Sequence, residues 1–378
     1  MNYYCGVDEM KTEIKNAIIF GIVIIIIVGV ISVILSSLNS DTQTTETTHE
    51  INSITKIDKS KFKKAPEIIG ITHYFNTTPE KLVNEIKGKV VLYDIWTYSC
   101  INCVRTLPHI VAWNEKYSDS GLLIIGIHSP EFEFEKIPEN VESAIIKHGI
   151  KYPVVMDNDM ETWKAFENRY WPRKYIADDE GYIRYDHIGE GDYLETEKII
   201  QTLLNERAVH LGLQINSTGK LVDIKEFEHS NFKTPELYFG YKFAQGRNQL
   251  GSNEGFSPNN IVTYSEPNNL ELHKFYPIGE WKNLEDSMEM VSNNGTIKLH
   301  YNAKEVNIVT ANKAQLEILL DGLPISRNDA GTGVSTDGHI IVADAGLYNI
   351  VNSNESSSHT LEIRISDPGF QIYTFTFG

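Results

Sequence analysis

The run Val90-Val91-Leu92-Tyr93-Asp94-Ile95-Trp96 is apolar and rich in strand-forming residues, and it leads through Thr97-Tyr98-Ser99 directly into Cys100-Ile101-Asn102-Cys103. This order predicts a buried strand, a tight turn, and a helix from Cys100 to Tyr117 whose first turn carries both cysteines. Free N–H groups and the positive end of the dipole at a helix N-terminus favour an anion, here a thiolate at Cys100. A thiolate is the attacking species in disulfide exchange, so Cys100 is the expected nucleophile and Cys103 the partner that resolves a mixed disulfide.

Few other chemistries suit the same residues. The chain has only three cysteines, Cys5, Cys100 and Cys103, so no disulfide framework holds the fold. A zinc site would need a second ligand pair that is not there, and c-type haem attachment would need a histidine where Val104 stands. No metal and no cofactor is expected. A net charge of −17 argues against nucleic-acid binding, which needs a basic face.

With 378 residues the chain has room for two domains behind a membrane anchor. Ala17 to Leu38 is an uncharged apolar run long enough to span a bilayer, and longer than the apolar core of most signal peptides. Lys11 and Lys15 precede it and no basic residue follows until Lys56, which predicts a cytoplasmic N-terminus at 1–16 and extracytoplasmic globular domains. Residues 39–60, rich in Thr, Ser, Glu and Asp, read as a flexible linker.

Strand-like and helix-like segments then alternate from 61 to 206, implying a sheet covered on both faces. A connector at 207–230 follows. From 231 to 378 short strand-like runs are separated by turn pairs such as Asn294-Gly295, Asp321-Gly322 and Asp337-Gly338, which reads as an all-β sandwich or jelly roll. The expected fold class is therefore α/β followed by all-β, with one N-terminal transmembrane helix. Glu131, Glu133 and Glu135 alternate with phenylalanines and read as a half-exposed edge, and His109 as a packed or surface histidine.

Together, Trp96-Thr97-Tyr98-Ser99-Cys100-Ile101-Asn102-Cys103-Val104-Arg105-Thr106-Leu107-Pro108, Pro130 to Glu135 and Asn168-Arg169-Tyr170-Trp171-Pro172 resemble thioredoxin-fold thiol–disulfide oxidoreductases of the TlpA/ResA kind, and the soluble region of DipZ-type proteins in particular. The resemblance implies a thioredoxin-like domain at 61–206 with Cys100 and Cys103 as the redox-active pair. It implies that Asp94 is the buried acid taking the proton of Cys103, that Pro172 after Trp171 is the cis-proline facing the sulfurs, and that Pro108 kinks the first long helix. Trp96 and Tyr98 are expected to shape the rim around Cys100. Thr97-x-x-Cys100 also resembles peroxiredoxins, although Tyr93 stands where their pattern has proline, so thiol peroxidase is an alternative.

Thr234 to Tyr241 resembles the opening of the carbohydrate-binding-module-like domain that follows the thioredoxin part in DipZ-type proteins. A glycan is therefore a possible partner there, through Tyr238, Tyr241, Tyr264, Tyr276 or Trp281, and a surface binding protein is the second alternative. DipZ-type proteins begin with a multi-helix membrane domain; with a single span, this chain is expected to use a separate membrane electron donor or acceptor of the DsbD/CcdA kind. Its client proteins are those with thiols or disulfides, and the reducing direction is preferred.

Overall fold

The structure is a computed structural model and describes residues 58–214, 219–229 and 231–378. The expected segments 1–16 and 17–38, Cys5, and all but the last three residues of the 39–60 linker lie outside the described residues. Among the described residues, no helix is long and apolar enough to cross a membrane.

The first half is built around strand β2, Val90–Trp96, every residue of which is buried. Helices cover both faces of its sheet, and β2 divides its side chains between them. Val90, Leu92 and Trp96 join one apolar cluster with Ile110 and Trp113 of helix α2 (Ile101–Tyr117) and Ile200 and Leu204 of a closing helix. Val91, Tyr93 and Ile95 join another with Leu82 and Phe166. Asp94 thus falls on the face roofed by α2, between Leu92 and Trp96, because successive strand side chains alternate. That alternation aims its carboxyl toward Cys103.

Around β2 the sheet is completed by β1 (His73–Phe75), β3 (Leu122–His128), β4 (Val154–Met156), β5 (Arg173–Ala177) and β6 (Ile183–Ile188), in the order β1-β4-β3-β2-β5-β6. Strands β2, β3 and β4 run parallel; β1, β5 and β6 pair antiparallel to their neighbours. The closing helix, Tyr193–His210, runs past the expected end at 206 and takes in the first residues of the expected connector. Buried Ala208 extends its packed face.

The second half is β-rich, with ten strands in one antiparallel hydrogen-bonded set. Two of them are longer than the turn signals suggest. Strand β11, Gly295–Ala311, absorbs two runs that read as separate strands, Thr296 to Tyr301 and Val306 to Val309, and β15, Gly346–Ile365, does the same with Leu347 to Val351 and His359 to Ile365. Bulges at Ala303/Glu305 and Val306/Asn307 let β11 continue where an unbroken ladder would end. Up to Lys304 β11 alternates buried and half-buried residues, and from Val306 onward it is buried on both faces. One face feeds the β-rich core through Val306 and Ile308. Through Val309 and Ala311 the other enters the cluster that contains Trp96, Cys103 and Phe132. The two halves therefore share a continuous apolar core beside the cysteines. Charge reinforces it: Arg105 of α2 donates to Glu305 Oε2 of β11 at 2.8 Å, with its guanidinium 3.4 Å from the centre of the Phe227 ring.

Candidate active site

Helix α2 starts where β2 and its turn deliver it, and Cys100 is its N-cap. The Cys100 sulfur accepts the Cys103 N–H at 3.2 Å, in the place where a capping serine or aspartate oxygen usually stands. Cys103 is 1% exposed. Burial pushes its thiol well up, and the nearby Cys100 sulfur and Asp94 carboxyl push it further. One sulfur is therefore reachable and held by a helix N–H, and the other is buried and needs a base before it can attack.

Asp94 is placed to be that base. It is 1% exposed, and one carboxyl oxygen has no hydrogen-bond partner. Burial lifts its pKa to about 6, against the pull of Lys174. Lys174 lies opposite Asp94 in the β2–β5 register, is fully buried, and donates to the Gly189 carbonyl at 3.0 Å. Burial lowers the Lys174 pKa while Asp94 and Cys103 raise it. Sequence reasoning passed over Lys174; the only signal was a lysine inside the apolar opening of a strand.

The Trp171–Pro172 peptide is cis. The Trp171 indole donates to the Ser129 carbonyl at 2.9 Å and lies 4.3 Å from the Trp163 ring. Trp171 and Cys100 line one cavity. The expected rim is different for Trp96 and Tyr98. Trp96 is 0% exposed with its ring edge-on to His128, and Tyr98 stacks on His128 and meets Phe134 edge-on. Both are core residues beneath the site, because the second half of the chain packs over the end of β2. The Thr97 hydroxyl is 3.3 Å from His128 Nε2, and burial drops the His128 pKa to about 3, so that imidazole is neutral. His109 is packed, as expected: it stacks on Tyr193 at 3.6 Å and burial lowers its pKa to about 4.

The glutamates after Pro130 are a half-exposed edge only at Glu131 and Glu133. Only Glu133 is exposed; Glu135 is fully buried in a short helical turn, Glu133–Lys136. One Glu135 oxygen accepts the Ser99 hydroxyl at 2.5 Å, and the other accepts the N–H groups of Glu131 at 2.6 Å and Phe132 at 3.0 Å. This carboxylate ties the cysteine turn to the next loop. Glu131, half-buried and lining the cavity, reaches Tyr238 of the β-rich half. No spacing rule links positions so far apart: Glu131 stood out only as part of an alternating edge, and Glu236 not at all. Of the aromatics considered for sugar stacking, Tyr238, Tyr264, Tyr276 and Trp281 are buried: Tyr264 and Trp281 in the core of the β-rich half, and Tyr238 in the cluster it shares with the cysteine half.

Residues 63–204 match the redoxin family, and residues 234–378 match a family described as the thioredoxin-like C-terminal domain. The chain is 35% identical to protein DipZ of Mycobacterium tuberculosis over 316 residues, which is 83% of this chain and 43% of that protein. It thus spans less than half the length of that relative. Thiol-disulfide oxidoreductase YkuV of Bacillus subtilis is 30% identical over 143 residues, 37% of this chain and 94% of YkuV. A solved thioredoxin-like protein in its oxidized form is 28% identical and covers 40% of this chain and 99% of its own, at a TM-score of 0.35.

Proposed function

Since the chain belongs to the thioredoxin-like thiol–disulfide oxidoreductases, we propose that it works as a membrane-anchored enzyme outside the cytoplasm, reducing disulfides in exported proteins through Cys100 and Cys103. The observation that carries the redox part is the capped, reachable Cys100 above a buried Cys103 and Asp94. The anchoring part rests on the uncharged run Ala17 to Leu38 and the lysines before it. With one such run, electrons come from a separate membrane donor of the DsbD/CcdA kind. The β-rich half is read as a sandwich of the carbohydrate-binding-module type. The aromatics buried there add nothing to a glycan partner, and the Thr97 hydroxyl is already paired with His128, so neither alternative gains an observation.

In the reducing direction the Cys100 thiolate attacks a client sulfur and forms a mixed disulfide. Asp94 then takes the Cys103 proton, and Cys103 attacks Cys100 to release the client as a dithiol. The test uses the full chain in detergent. Cys100→Ser abolishes insulin reduction, and Cys103→Ser accumulates mixed disulfides with clients. Full activity in Cys100→Ser sinks the proposal. Equilibration against dithiothreitol settles direction: a potential near about −270 mV marks a reductase, and one near about −120 mV an oxidant.

A further inference from the structure

The cavity holding Cys100 has a volume of ≈ 480 Å³ and walls from both halves of the described chain. Cys100, Glu131, Phe132 and Trp171 form one side; Glu236, Tyr238, Thr376 and Phe377 contribute the other. Within it, the Tyr238 hydroxyl lies 3.0 Å from Glu131 Oε1 and 2.8 Å from Glu236 Oε2. A phenol carries one proton and donates one hydrogen bond, while ionised carboxylates only accept. Two ionised carboxylates would leave one of these contacts without a hydrogen and bring two like charges together. One carboxyl therefore carries a proton and donates to the Tyr238 oxygen, while Tyr238 donates to the other. Burial pushes both carboxyls up, and for Glu131 the charges of Glu236 and Glu135 add to it. Two cations line the same cavity, Arg169 and Arg247, the Arg247 guanidinium 4.7 Å from the centre of the Tyr238 ring.

Building on the oxidoreductase reading above, we propose that the Glu131–Tyr238–Glu236 network gives its proton to the thiolate that leaves when Cys100 attacks a disulfide in this cavity. The Cys100 thiolate forms a bond to the nearer sulfur of R–S–S–R′, the substrate S–S bond breaks, and R′–S⁻ takes the proton to depart as R′–SH. Solvent restores the proton to the carboxyl. Cys103, its proton passed to Asp94, then attacks Cys100 and frees R–S⁻, which is protonated from solvent. The enzyme loses two electrons as its disulfide forms, the substrate gains two, and a dithiol reductant resets the pair. An alkyl thiol, with a pKa of about 8.5, is a poor leaving group without a proton, and a positioned acid relieves that. The β-rich half thus supplies part of the chemistry as well as the wall.

The experiment compares two probes in single turnovers of the full chain, reduced beforehand with dithiothreitol that is then removed: hydroxyethyl disulfide, whose thiolate needs a proton, and a nitro-substituted aryl disulfide, whose thiolate leaves without one. In Glu131→Gln/Glu236→Gln the ratio of alkyl to aryl turnover falls about tenfold or more. A change that only loosens the cavity lowers both rates together, so an unchanged ratio overturns the proposal. If the double variant does not fold, Tyr238→Phe, smaller by one oxygen, carries the same test and the same two outcomes. A wild-type chain that reduces the aryl probe while the ratio stays fixed in the variants leaves the oxidoreductase function standing and removes the proton network. Turnover of neither probe by the wild type overturns both.

Discussion

At the scale of single residues, the site turns on a carboxyl in the wrong solvent. Asp94 has a usual value of 3.8 and sits at about 6 because burial disfavours its charge. A group raised on folding contributes stability that is complete below its unfolded pKa and is lost as the pH rises through the folded one. Across that window the ionising carboxyl costs the fold about 3 kcal/mol. Asp94→Asn is therefore expected to match the wild type near pH 4 and to exceed it by up to about 3 kcal/mol at pH 7, read from urea midpoints at both pH values. The same variant should release mixed disulfides about 100-fold more slowly at pH 7, since Cys103 loses its proton acceptor. In the wild type that release should speed up as the pH rises through about 6. Asp94 was legible through the family resemblance, whose buried acid stands six positions before the first cysteine, on the strand that leads into the motif. Its counter-charge Lys174 was not, because it comes from another strand and is brought alongside only by the sheet register.

At the scale of elements, the cysteine turn is held by a loop more than by its helix. Glu135 satisfies three buried donors, the Ser99 hydroxyl and the N–H groups of Glu131 and Phe132. Each donor stranded in the interior costs about 1–3 kcal/mol. Glu135→Ala should therefore lower stability by about 3 kcal/mol or more and slow attack by Cys100. Glu135→Gln should lose less, because its carbonyl oxygen can keep the two N–H groups while the Ser99 hydroxyl turns to accept from its amide. Guanidinium melts and single-turnover rates on the two variants check both statements. The strand–turn–helix around the cysteines was legible from periodicity and spacing alone. Alternating Glu and Phe misled, because a period of two also arises in a loop whose acids turn inward to cap backbone groups. The long strands β11 and β15 were each read as two, since bulges look like turns when only residue preferences are visible.

At the scale of the whole molecule, the halves of the described chain are bound through aromatic contacts beside the site. Tyr373 of the β-rich half lies 5.0 Å from Phe132 and 4.7 Å from Phe134, ring centre to ring centre. Phe134→Ala removes a buried ring at that junction and is expected to cost about 3–5 kcal/mol. Because the apolar cluster runs across the junction, residues 58–378 should melt in a single calorimetric transition in the wild type, and Phe134→Ala should split it in two. One transition at a lower temperature would show that the halves do not depend on this contact. Contacts of this kind are invisible to sequence patterns, which report the period of one segment and not what lies against it. The cavity that results has a heritable consequence. The two cysteines and Asp94 are written in residues 90–108, but much of the opposite wall is written in residues 232–377, so substitutions in one stretch can retune which disulfides enter while the cysteine stretch stays untouched.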